Sequence, residues 1–208
     1  MIISSPSVDN VIGVNQVPIN STLDKINELM QSHEQRGGFE ENNSIDWFPE
    51  LPSNDRLKQY FTTYDPTVGT CLEIGSSVLY FISFSKLVEA QIGYRTLANG
   101  QPCNVWDQGC VVIALFEDEP VMVNTTSEQA AVWAAYESGN PKLIVDNLEG
   151  FFQSIHTVID IQYKKYNFEV LNEDTLEYKE EYLADINQKL RELLPEDQLC
   201  AFMDFFFG

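Results

Sequence analysis

The densest apolar run in the chain is Val111-Val112-Ile113-Ala114-Leu115-Phe116. It is followed by the acidic break Glu117-Asp118-Glu119 and a second run, Pro120-Val121-Met122-Val123-Asn124. Two β-branched runs around a short polar break predict paired strands in the middle of a sheet. The first run is apolar at every position instead of alternating, so both of its faces are expected to be covered. Pro120 has no N–H to donate and belongs at the start of the second strand. Ala130–Tyr136 predicts a third strand, and Leu143-Ile144-Val145, after the turn signal Gly139-Asn140-Pro141, a fourth.

Elsewhere the apolar positions fall at helical spacing. Ser21 is placed to cap a helix with Leu23, Ile26, Leu29, Met30 and His33 on one side, which Gly37-Gly38 stops; His33 is expected at its surface. After Leu51-Pro52, Ser53 is placed to cap a second helix on Leu57, Tyr60, Phe61 and Tyr64. Thr70–Ile74 and Val78–Ser83 around Gly75-Ser76-Ser77 predict a hairpin. Ser85 is expected to cap a short helix over 86–92 that Gly93 closes. Asn147 opens a long helix striped by Leu148, Phe151, Phe152, Ile155, Ile159 and Tyr163. Acidic residues crowd 173–185 around Leu176, Leu183, Ile186, Leu190 and Leu193, which predicts one long helix, and Pro195 restarts a last turn carrying Leu199, Phe202, Met203 and Phe206.

This order implies an α+β fold: a central, largely antiparallel sheet packed by helices. Three parts are expected: an irregular arm over 1–20 with room for one edge strand, a domain over 21–168, and an acidic helical extension over 169–208 packed on that domain. The closing Phe205-Phe206-Phe207 is too apolar to hang in water.

Composition narrows the function. Hydrophobic content of 44% supplies a core, whereas twelve basic residues against thirty-two acidic ones give a net charge of −20. Phosphate contacts need Lys and Arg, so direct binding to nucleic acid or an anionic membrane is not expected. The acidity suits either a partner with a basic surface or solubility alone. The start of the sequence lacks a basic, apolar leader, and no stretch reaches bilayer length, so a soluble cytoplasmic protein is expected. Cys71, Cys103, Cys110 and Cys200 form no C-x-x-C pair and read as free thiols.

No catalytic constellation stands out. There is no phosphate-binding glycine loop, no G-x-S-x-G elbow, and no H-E-x-x-H; the two histidines, His33 and His156, are unconnected by any motif. Glu117-Asp118-Glu119 has oxygen ligands for a hard cation but not the spacing of a calcium loop, and Cys103-x6-Cys110 lacks a second pair for zinc. Neither an enzyme, a cofactor nor a metal is expected. The candidate residues are partner contacts. The acidic turn Glu117, Asp118 and Glu119 offers charge. Trp106 with Asp107, in a polar loop, offers an anchor; Trp106 and Trp133 also fit a core. Glu40, Glu41 and Asp46 around Trp47 and Phe48 read either as a solvated loop or as an acidic docking surface.

Taken together, several segments resemble the SUKH superfamily, the SMI/KNR-like group that includes bacterial immunity proteins and fungal cell-wall-synthesis regulators. The resemblance is carried by Leu51-Pro52 with Leu57, Tyr60, Phe61 and Tyr64; by Leu72-Glu73-Ile74 and Leu79-Tyr80-Phe81; by Ile113-Ala114 with Pro120-Val121; and by Ile144-Val145-Asp146-Asn147-Leu148 before Phe151-Phe152. It spans about residues 21–155. The family's glycine-aspartate-proline-like turn is here Glu117-Asp118-Glu119-Pro120, and the glycine pair that trails the family's second helix is missing. The resemblance implies an α+β body without catalytic apparatus and a face or cleft that binds a protein. For bacterial members that protein is a toxin, often a nuclease, which is neutralised by stoichiometric occlusion. The fungal branch implies instead a regulatory or scaffold protein.

Overall fold

A computed structural model describes residues 19–43, 45–135 and 140–208; the arm expected over 1–20 lies almost wholly outside them. The centre is a six-stranded antiparallel sheet whose strands follow chain order: β3 (Cys71–Ile74), β4 (Ser77–Phe81), β5 (Cys110–Phe116), β6 (Glu119–Asn124), β7 (Val132–Ala134) and β8 (Lys142–Val145). Two short strands, β1 (Phe39–Glu40) and β2 (Asp65–Pro66), pair separately. The helices are α1 (Ile19–Ser32), α2 (Asp55–Thr63), α3 (Leu148–Lys164), α4 (Glu180–Leu190) and α5 (Glu196–Phe207). The α+β class with an antiparallel sheet is therefore as expected.

The central pair behaves as its composition requires. β5 and β6 are the third and fourth strands, and six of the seven β5 residues are buried. Glu117 and Asp118 form the two-residue turn with φ of 51° and 68°, so the break is shorter than expected: Glu119 already belongs to β6 and faces Phe116. Both-positive φ is the geometry that a two-residue hairpin needs to match strand twist. Opposite β6 the register shifts between Val112 and Ala114. Ile113 is the extra residue, and both Ile113 and Ala114 then join the helix-covered core. β4 stops at Phe81, leaving the edge of Val112 open. The buried Gln91 amide fills the gap, accepting from Val112 N–H at 3.0 Å and donating to Val112 C=O at 3.0 Å.

Several local expectations shift for physical reasons. Within the described residues α1 starts at Ile19, before Ser21. The cap of α2 is Asn54, not Ser53: its oxygen accepts from Arg56 and Leu57 N–H while its NH2 donates to Ser127 C=O at 2.7 Å. The amide accepts at one atom and donates from another, so one side chain caps the helix and ties it to a second loop. The helix expected over 86–92 is instead two 3-10 turns, Phe84–Lys86 and Glu89–Gln91, which bring Gln91 to β5. His33 is half-buried, with its ring against Tyr163 and Phe168.

The largest difference is in 173–185, where no single helix forms. Asn172 Oδ1 accepts from Asp174 and Thr175 N–H, and this closed turn competes with helical bonding. Leu176 sits at positive φ and is 73% exposed, and α4 begins only at Glu180. Beyond it, Phe202, Phe205 and Phe206 belong to the same core cluster as the sheet and α3.

Asn147 caps α3 as expected, its oxygen accepting Gly150 N–H. α3 lies across the sheet and presents Gln162 to the β3–β4 turn. That side chain accepts from Gly75 N–H at 2.7 Å and from the Tyr182 hydroxyl at 2.7 Å, and donates to Gly75 C=O at 3.2 Å. Gly75 is at φ +62°, and a Cβ there would meet the Tyr178 hydroxyl at 2.5 Å.

Tyr60, fully buried between Phe39, Phe61 and Phe152, has a hydroxyl without a hydrogen-bond partner. Burial pushes its ionisation well up, with the charge of Asp65 adding to the effect. A buried unpaired hydroxyl costs about 1–3 kcal/mol. Tyr60→Phe is therefore expected to raise stability by about 1 kcal/mol, read as a higher urea midpoint at unchanged slope.

Candidate cleft on the outer face of the sheet

Helices cover one face of the sheet; the segment 93–107 covers part of the other and leaves a cleft of about 670 Å³. Strand alternation supplies its floor. Val121 and Val123 point into the helix-side core, so Met122 points outward, beside Trp133 on the paired strand β7. Cys110, Met122 and Ala135 form a small buried cluster of their own, with Trp106 and Trp133 packed on it.

The opposite wall is held by side chains bonding to backbone. Tyr94 Oη donates to Asp118 C=O at 2.7 Å, which ties the segment to the β5–β6 turn. Arg95 donates to Gln108 C=O at 3.2 Å and to Glu50 C=O at 3.0 Å, and Gln108 donates back to Arg95 C=O at 3.2 Å. Trp106 Nε1 donates to Cys110 C=O at 3.2 Å, and its ring lies 5.5 Å from that of Tyr94.

The cleft is electronegative. Asp107 and Glu119 line it, and among the described residues no Lys or Arg does. Burial pushes the Cys110 thiol up to about 12, helped by the charge of Asp107 and a hydrogen bond to it. Burial likewise raises Tyr94, with the charges of Glu119 and Asp118 adding. Trp133 Nε1 is shut off from solvent with no acceptor. At the mouth, Val105 is 95% exposed. Ile92, just before the segment, and Leu97 within it are exposed too, so three of the six exposed large apolar residues among those described fall between residues 92 and 105.

The residues expected to contact a partner divide into two groups. Glu119, Trp106 and Asp107 line the cleft, and Glu117 and Asp118 sit at the turn that Tyr94 ties to it. Glu117 is exposed and accepts from Ser77 Oγ. Glu40, Glu41 and Asp46 are exposed around β1 and the loop after it and do not line the cleft. Trp47 and Phe48 there pack on Phe84 and the core. Sequence reasoning missed Tyr94, Met122 and both thiols as neighbours of Trp106. The spacing of Cys103 and Cys110 around it was visible, but only as a poor zinc site.

Among the described residues no group of three or more His, Cys, Asp or Glu is placed to hold a metal ion, and no helix is long and apolar enough to cross a membrane. No protein-family model, no curated protein and no solved structure matches the chain.

Proposed function

We propose that the chain is an immunity protein that binds a cognate bacterial toxin, through a basic surface such as that of a nuclease-type domain, and neutralises it by stoichiometric occlusion. The observation that carries this reading is the outer-face cleft, aromatic inside, acidic in charge, with the exposed Val105 in its lining. Such a surface combines the features of a protein-binding patch: anchors that desolvate well, and a rim whose charge selects the partner. A body with a net charge of −20 attracts cationic partners over a distance, and the cleft gives them a place to dock. The toxin itself is suggested by the SUKH resemblance.

The test is co-expression with the product of the adjacent upstream gene. Co-purification of a one-to-one complex and survival of the host are expected. Glu117, Asp118 and Glu119 changed together to lysine should slow association and abolish protection. Protection that persists in that variant removes the turn as a contact; toxicity unaffected by the unaltered chain removes the immunity reading.

A further inference from the structure

We infer that the cleft is the seat of one arginine side chain carried on a loop of the protein partner. The inference rests on the binding-protein reading above and names the group that enters. Its lining pairs flat aromatic surface, Trp106, Trp133 and Tyr94, with the carboxylates of Asp107 and Glu119, and among the described residues no Lys or Arg lines it. That is the environment a guanidinium needs. It stacks on an indole face while its N–H fork reaches a carboxylate, and it sheds water more readily than an ammonium does.

Size argues for a loop instead of a free cation. A cleft of about 670 Å³ lies in the range that takes a drug-sized ligand, with room for a guanidinium and the backbone on either side of it. Val105, exposed in the lining, meets the flanking apolar residues of such a loop.

The experiment uses the full chain and three capped tripeptides, Gly-Arg-Gly, Gly-Lys-Gly and Gly-citrulline-Gly, with guanidinium chloride as the free-cation arm. Binding is followed by calorimetry and by indole fluorescence. The arginine peptide is expected to bind about tenfold more tightly than the lysine peptide, and citrulline, which has the shape without the charge, to bind weakest. Glu119→Gln, nearly isosteric, and Trp106→Leu are each expected to cost the arginine peptide about tenfold, with an unchanged far-ultraviolet spectrum showing that the fold is kept. Equal affinity for arginine and lysine, or no effect of Glu119→Gln, overturns the proposal. Guanidinium chloride binding as tightly as the peptide overturns the loop. A partner that co-purifies undiminished with both variants leaves the immunity reading standing and removes the arginine seat. Arginine-selective peptide binding without any toxin partner does the reverse.

Discussion

Phe206→Ala is expected to lower the unfolding free energy by about 3–5 kcal/mol, although the residue is third from the end of the chain. Its ring is 2% exposed and lies 4.9 Å from Phe116 at the end of β5, 4.6 Å from Phe202 and 4.9 Å from Phe205. Removing it leaves a void against the central strand, and neighbours already fixed in other contacts cannot collapse into it. A urea melt monitored by circular dichroism checks this. A loss below about 1 kcal/mol would mean that α5 is only lightly attached to the sheet.

Gln162→Leu is expected to cost about 3 kcal/mol or more, despite conserving size and adding apolar surface. The side chain satisfies the N–H and C=O of Gly75 and the hydroxyl of Tyr182, all buried with it. Leucine removes the Gln162 partner of all three, at about 1–3 kcal/mol for each buried group that then finds no other. Gln162→Glu separates geometry from chemistry: it keeps acceptors for Gly75 N–H and Tyr182 but loses the donor to Gly75 C=O and buries a charge. The same melts are the readout, with hydrogen exchange at Gly75 as a local one. Rapid exchange at that amide in the leucine variant, with the rest of the sheet protected, is the expected local signature. A melt indistinguishable from that of the unaltered chain would show that the turn finds other partners.

What the sequence disclosed about the fold was written in local patterns. Val111–Phe116 is uniformly apolar because it is covered on both faces. Asn147 announces α3 because a side-chain oxygen at that position meets the orphan Gly150 N–H. The capping of α2 was misplaced by one residue because the deciding contact, Asn54 to Ser127, joins positions far apart in the chain. The broken helix at 173–185 was hidden because its acidic and apolar spacing suits a helix, while the Asx turn at Asn172 that opposes it is a single-residue signal.

The cleft was legible only in fragments. Trp106, Asp107 and Glu119 could be singled out as charge and anchor, but their proximity to Met122 and Trp133 follows from strand register. Tyr94 comes to the acidic turn through one hydroxyl and one carbonyl. A run that is apolar on both sides does not disclose which face carries the opening. Glu40, Glu41 and Asp46 looked equivalent to the turn in composition, yet their aromatic neighbours turn inward on Phe84.

Seven of the twelve basic side chains are already engaged with carboxylates of the same molecule: Arg56, Lys86, Lys142, Lys164, Lys165, Lys189 and Arg191. The acidic surplus therefore has little left inside the chain to balance it and pushes against itself. Dissolved electrolyte, which shortens the reach of that push to about 8 Å at 0.15 M, should firm the folded body. It should also blunt the pull on an incoming cationic protein, so that resistance to heat and speed of capture move in opposite directions as a buffer is made more saline.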